Sequence, residues 1–145
     1  MSALPQVFPF NSGLAGLHLS ADQFLAIGET LERYEVARGV VMPMSRPTMR
    51  HQALSLQLLE QLLEYRRTST AVIFHEIDWR LDDQTVYSPD IICFRPGRSP
   101  TLGTYLREIP DLVIEILSPG NKAFDFTEKK DDYERAGVAE YWAID

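Results

Sequence analysis

The stretch PDLVIEILSPG, residues 110–120, sets one glutamate inside a run of aliphatic side chains. Asp111 stands at its start, Leu112, Val113 and Ile114 precede Glu115, and Ile116 and Leu117 follow it. A short, nearly all-apolar run of this kind reads as a strand buried on both faces of a sheet. Side chains alternate across a strand, so Asp111, Val113, Glu115 and Leu117 share one face. Leu112, Ile114 and Ile116 share the other. A carboxylate among buried aliphatics is costly unless something pairs with it. The fold has to bring Glu115 a partner.

Downstream, residues 118–124 read as a loop, and the pattern predicts a helix from about Asp125 to Ala136 with Gly137 as its C′ residue. EYWAID, 140–145, reads as a last strand. Strand, helix and strand form a crossover unit, which makes the two strands parallel. Phe126, Lys129 and Tyr133 fall at i, i+3 and i+7, so they share a helix face. Two aromatics turn that face toward the sheet and carry Lys129 inward beside Glu115. Lys130 pairs with Glu134 at i+4 and reads as solvated.

Upstream, residues 1–19 carry Pro and Gly without periodicity and are expected to form an irregular arm, leaving 20–145 as one domain. Ser20 and Gln23 have capping-box spacing ahead of the apolar stripe of Phe24, Leu25 and Leu31. RYEVA (33–37), the turn signal Arg38-Gly39 and VVMPMS predict a hairpin over 33–45. Pro43 puts its second strand at a sheet edge. Thr48 can cap a long helix, 49–67, striped by Leu54, Leu58, Leu62, Leu59 and Leu63 and extended by Met49 and Ala53. AVIFHEIDWRL (71–81) and TVYSPDIICF (85–94) read as two strands joined by the turn DDQT. Trp79 and Trp142 are then strand residues of the core. Residues 95–109 form a long loop rich in Gly, Pro and Arg, and long irregular loops in compact domains are often functional. The fold class is α/β (α+β): a central mixed sheet flanked by helices, with an N-terminal helix and hairpin. The chain stops right after a strand, at Asp145, which suggests that C-terminal strands are missing.

The 145 residues suffice for one domain with a real core. Nothing resembles a transmembrane span of about 20 apolar residues. The N-terminus lacks the basic region of a signal peptide, so a cytoplasmic location is the default. The single cysteine, Cys93, fits a reducing compartment and reads as a small core residue. Net charge is −7, from 21 acidic and 14 basic residues. That argues against coating nucleic acid by bulk electrostatics, while a local basic groove or a site where metal offsets clustered carboxylates remains open.

A second isolated acid, Asp90, follows Pro89 in an apolar strand. Two such acids on neighbouring strands suggest a shared site. Held close, like charges shift one pKa upward unless a cation sits between them. An oxygen-rich pair suits Mg²⁺, which takes one or two carboxylates and keeps several waters. His18, His51 and His75 lack zinc-ligand spacing. The alternative is a buried ion pair with an arginine such as Arg80 or Arg95. Lys129 is in turn either a salt-bridge partner or a catalytic cation.

Together these features resemble the PD-(D/E)XK nuclease superfamily and, within it, the Uma-two family of restriction endonuclease-like proteins. The resemblance spans about residues 20–145 and rests on YEVARG (34–39), HQ (51–52), SPD (88–90), PDLVIEILSP (110–119), AGVAEYWAID (136–145) and the D-x3-K-x3-Y spacing of Asp125, Lys129 and Tyr133. It implies a restriction-endonuclease-like fold and metal-assisted phosphodiester hydrolysis of DNA. Asp90 matches the motif aspartate, Glu115 the motif acid and Glu35 the family's upstream glutamate. Leu117 stands where the superfamily's lysine usually stands; the family supplies its lysine from the next helix, at Lys129. Val40 replaces a second acid often found after the glycine. The resemblance implies that Asp90, Glu115 and the Ile116 carbonyl hold Mg²⁺ or Mn²⁺, with Glu35 completing the shell or orienting water. Lys129 would position water or stabilise developing charge. It further implies DNA as the partner, no membrane, and a homodimer.

Tyr133 reads as a packed aromatic or as a support for Lys129, and His51 as a core-edge residue satisfying a backbone carbonyl or as a site residue. Ser118 and Asn121 follow the Glu115 strand where a loop could reach the site. Arg95, Arg98 and Arg107 could contact phosphates or be solvated loop charges. Besides an endonuclease, the pattern fits a catalytically inactive form of the fold that binds nucleic acid or a partner, or a hydrolase of another phosphoester. The endonuclease reading requires Glu35, Asp90 and Glu115 to converge within shared metal reach.

Overall fold

A computed structural model of the chain describes residues 13–120 and 122–145. The expected arm up to residue 12, and Asn121, lie outside the described residues. The strands form two four-stranded sheets. The first is antiparallel, in the order β2 (Val40–Pro43), β1 (Tyr34–Ala37), β5 (Thr85–Tyr87), β4 (Trp79–Asp82). The second is mixed, in the order β3 (Val72–His75), β6 (Ile91–Phe94), β7 (Leu112–Ile116), β8 (Glu140–Ile144). β7 and β8 run parallel, as the crossover requires, and β3, β6 and β7 are antiparallel.

Local signals place the helices. Ser20 and Gln23 close the capping box on α1 (Ala21–Ile27). Thr48 accepts from the His51 N–H at 3.1 Å and starts α2 (Met49–Arg67). α2 covers one face of the second sheet with Leu58, Leu59 and Leu62 against Ile91, Cys93 and Ile114. Met49, Ala53 and Leu63, expected on that stripe, are exposed, and Ser55 takes the buried place, bonded to His75. The other face meets Tyr133, Trp79 and Tyr87 around Val113 and Ile92. β7 therefore alternates as its sequence dictates. Cys93 is a buried thiol whose pKa is pushed up to about 11 by burial.

Edges behave as the prolines suggest. β2, with Pro43, is an outer strand, and residues 16–19 run beside it: Gly16 donates to Val41 and Val41 to Leu17. Trp142 is not core but 41% exposed, because β8 is the outer strand of its sheet.

The two long strands expected over 71–81 and 85–94 are each broken. Glu76 has φ +52°, a left-handed conformation that no strand continues through. Pro89 has no N–H for a ladder. The result is one long bent hairpin whose halves lie in different sheets: β3 pairs with β6, and β4 with β5. The bend brings Glu76 beside Asp90, whose carbonyl accepts from the Glu76 N–H at 3.1 Å. Among the described residues, no helix is long and apolar enough to cross a membrane.

The β1–β2 turn has positive φ at both Arg38 (+50°) and Gly39 (+85°), as a two-residue hairpin turn demands. A Cβ at position 39 would meet Gln84 Oε1 at 2.8 Å. Gly39→Ala is expected to lower stability by about 1–2 kcal/mol in urea unfolding. An unchanged midpoint would show that this turn does not hold the hairpin.

Candidate active site

Three elements supply three charges. Glu35 is in β1, where every residue is buried, and Glu115 is in β7. Lys129 ends a π-helical turn. Its Nζ donates to Glu35 Oε1 at 2.9 Å and to Glu115 Oε1 at 3.1 Å. All three side chains are at most 8% exposed. The Ser88 N–H donates to Glu35 Oε1 at 2.8 Å, and the Tyr133 hydroxyl to Glu115 Oε1 at 2.6 Å. The question raised by Glu115 thus has its answer in a lysine, and neither Arg80 nor Arg95 is the partner. Arg80 pairs with Asp22 and Asp83, and Arg95 and Arg98 pair with Asp111.

Lys129 reaches the acids by a different helical geometry from the one expected. After Lys122–Phe124, residues Asp125–Lys129 form the π turn, and Lys130–Ala136 resume as α-helix before Gly137, φ +93°. The Thr127 hydroxyl donates back to the Ala123 carbonyl at 2.7 Å, a bond that competes with ordinary helical pairing. Five residues per π step align Phe124, not Phe126, with Lys129. Phe126 is 57% exposed, which corrects the expected face. Phe124 and Tyr87 instead present their rings to the ammonium at 6.0 and 5.1 Å. Tyr133 is both packed and functional in shape: it stacks on Trp79 and bonds Glu115. Burial, then the Glu115 charge, holds its hydroxyl protonated far above the usual range.

Asp90 sits where the bent hairpin crosses between sheets. Its Oδ2 accepts from the Ile116 N–H at 2.7 Å and its Oδ1 lies 2.9 Å from His51 Nε2. His51 therefore pairs with a site carboxylate and not with the backbone carbonyl expected for a core-edge residue. Burial raises the Asp90 pKa above the ordinary range, against the pull of the Ile116 N–H and His51. Glu35, Asp90, Glu115, Lys129, His51, Ser118 and Ile116 all line one cavity. Arg33, Arg46 and Glu76 complete its charged wall, with Arg33 3.4 Å from Glu76. Sequence reasoning overlooked Glu76, which carries no turn signal, and Arg33. It also overlooked Asp132, buried and bonded to Tyr87 at 2.6 Å and Arg38 at 2.9 Å. An acid one residue before an inward tyrosine was the available hint.

Among the described residues, no three His, Cys, Asp or Glu side chains cluster closely enough to form a metal cage, so the three-acid convergence of Glu35, Asp90 and Glu115 that the endonuclease reading was to require is not met. Glu35 is engaged by Lys129 and Ser88. Asp90 and Glu115, each already bonded within the protein, are the two hard oxygen donors that border the cavity beside the Ile116 backbone. That donor set fits Mg²⁺ or Mn²⁺, which need few protein carboxylates, and does not fit zinc.

Removing one partner of a buried ion pair leaves the other unpaired, at about 3–5 kcal/mol. Lys129→Met is expected to cost on that order in chemical denaturation, and adding Glu115→Gln to restore part of it. A double-mutant cycle with strictly additive effects would refute the coupling.

Comparison with known proteins follows the same lines. A solved structure described as a "putative nuclease belonging to DUF820 from Anabaena variabilis ATCC 29413" superposes with a TM-score of 0.78. The two are 25% identical, over 88% of this chain and 74% of that one. No curated protein matches. A nuclease-type function is what these likenesses support. The model of the Uma2 family, described as "Putative restriction endonuclease", matches residues 21–145, and the chain belongs to that family.

Proposed function

We propose that the chain is a divalent-metal-dependent endonuclease that hydrolyses phosphodiester bonds of DNA. The observation that carries this reading is the opening of Asp90, Glu115 and Lys129, with Glu35, onto one polar cavity. Four acidic side chains there, Glu35, Glu76, Asp90 and Glu115, face three basic ones, Arg33, Arg46 and Lys129. A phosphodiester adds further negative charge, so a bound cation is favoured electrostatically.

Asp90 and Glu115, with the Ile116 carbonyl, are the groups that would hold Mg²⁺ or Mn²⁺. When bound, the ion draws charge from the scissile phosphate and lowers the pKa of the attacking water. The chain's own residues do the rest. Tyr133 fixes the rotamer of Glu115 through its hydroxyl. His51 and the Ile116 N–H fix Asp90. Glu35 holds Lys129, in place of joining the ion's shell. Lys129 offers a fixed positive charge, in a site largely closed to solvent, to the charge that develops on phosphate oxygen. Arg33 and Arg46, at the cavity wall, are suited to the flanking backbone phosphates.

A second reading has a specific observation behind it: each site acid already has a protein partner, as expected of a binding module that keeps the acids structurally. Plasmid nicking separates the two. In Mg²⁺ or Mn²⁺ the protein is expected to nick supercoiled DNA, and Glu115→Gln and Asp90→Asn to be slower by about 100-fold or more. Asp90 resists ionisation in the folded protein. Its ionised form therefore weighs against folding once the pH exceeds the unfolded pKa, about 3.9. At neutral pH Asp90→Asn should accordingly melt no lower than the parent, and this advantage should vanish below that pKa. No nicking where a control enzyme cuts would reject the endonuclease in favour of the binding module. Full activity in Glu115→Gln would clear Glu115.

A further inference from the structure

In the long loop 95–109, Arg98 is tied into the loop itself. Arg98 donates to Asp111 at 2.6 Å and to the Ile109 carbonyl at 2.9 Å, closing the loop on itself. The second half of the loop returns to the first sheet. The Leu106 N–H donates to Asp78 at 2.8 Å and the Arg80 N–H to Leu106 at 2.9 Å, so the loop lies along β4. This sets Thr104 and Tyr105 opposite α1. Arg107 holds Tyr105, with its guanidinium 4.8 Å from the ring centroid and a hydrogen bond to the hydroxyl.

Between loop and helix lies a second cavity, of about 530 Å³. It shares Arg33, Met44, Glu76 and Ser88 with the active-site cavity, so the two adjoin. Phe24, Tyr34 and Tyr105 give it aromatic walls. Its charges are Glu29, Glu76 and Asp78 against Arg33 alone. Asp78 is largely withdrawn from water, with Arg33 and Ser88 as neighbours, and burial raises its pKa.

The volume lies within the range of small-ligand sites, about 300–1,000 Å³. Three carboxylates against one guanidinium make it a poor home for a second phosphate. They are good acceptors for N–H donors. Aromatic walls offer faces to stack on. A group tethered to a phosphate in the first cavity, flat, and bearing amino donors on its edge is a nucleobase. We propose that this second cavity is a base pocket: it takes the unpaired base of the nucleotide whose phosphate lies in the active-site cavity, preferring adenine, cytosine or guanine, which carry exocyclic amino groups, over thymine. Tyr105 stacks on the base and Asp78 accepts from its amino group. A paired base cannot enter, so the strand is single or the base is flipped out of its duplex. The inference rests on reading the first cavity as a phosphodiester site.

The test is binding by the full chain with Ca²⁺ in place of Mg²⁺, so that the first cavity can still hold a cation, with strand length checked after each reading to show that no cutting has occurred. Fluorescent single strands of oligodeoxyadenylate, oligodeoxycytidylate and oligothymidylate of equal length are compared by anisotropy. The first two are expected to bind about fivefold or more tighter than the third, matching one good amino–acceptor contact. Asp78→Ala, checked for folding by circular dichroism, should abolish that preference, and Tyr105→Ala, which removes the stacking face, should weaken binding of all three strands. Tyr105 is a loop residue, so its variant keeps the test valid if Asp78→Ala fails to fold. Competition by free deoxycytidine monophosphate as strong as by the strand would overturn the tethered-base proposal in favour of a mononucleotide site. Equal affinity for all three strands, a preference that survives Asp78→Ala, undiminished binding in Tyr105→Ala, or no binding would each overturn it outright. Plasmid nicking without base preference would sink the pocket and leave the endonuclease standing. Base preference without nicking would do the reverse.

Discussion

The Lys129 ammonium is shared by carboxylates from two different sheets, and most of the site's architecture follows from that sharing. Glu35 belongs to the antiparallel sheet and Glu115 to the mixed one. Taking three charged groups out of water costs several kcal/mol for each ion, and attraction compensates only if geometry is good and the remaining lone pairs are met. The surroundings supply this. A backbone N–H from Ser88, a hydroxyl from Tyr133 and the rings of Tyr87 and Phe124 hold the trio from four directions. Each of these donors is itself fixed by packing. The sheets are therefore joined at one end by a charged knot and elsewhere by the aromatic cluster around Trp79 and Tyr133.

Much of this was legible in the sequence, for identifiable reasons. The alternation of β7, the caps at Ser20 and Thr48, the Arg38-Gly39 turn, and the crossover from β7 to β8 depend on local rules, and each matches the structure. Lys129 and Tyr133 were found because a helix face repeats over short spacings. What was hidden depends on backbone conformations with no residue signature. A glutamate at φ +52° is not announced by its neighbours, so the break at Glu76 and the split into two sheets went unseen. The π turn was equally silent, which exchanged Phe126 for Phe124. His51 was undervalued because its partner, Asp90, is distant in sequence. Trp142 was overvalued because a strand's place in its sheet is not written in the strand.

On the proposed reading, an acidic protein that cuts a polyanion would face an electrostatic problem, and the distribution of its charges bears on it. Net charge is −7, which repels a polyanion at long range. The guanidinium groups of Arg33 and Arg46 line the wall of the candidate-site cavity. Several other arginines are consumed by local acids: Arg80 by Asp22 and Asp83, Arg98 by Asp111, Arg38 and Arg135 by Asp132. Screening shortens the reach of the repulsion to about 8 Å at physiological salt. On that reading, close contact would be decided by Arg33, Arg46, the lysine and any ion the carboxylates held.

The π turn also sets how this segment can change over time. A π turn holds one residue more than the α-helical turn it replaces. Substitution along its exposed side leaves the backbone count untouched, and Phe126, Thr127 and Glu128 are all exposed. Deleting a single residue there would let the segment relax to ordinary helix, but would rotate one side of it against the other by about 100°. The lysine would then leave its carboxylates, or the aromatic residues before it would leave their packing. The segment between Phe124 and Lys129 is thus fixed in length, a constraint that would surface in relatives as an invariant spacing even where the exposed Phe126 and Glu128 vary.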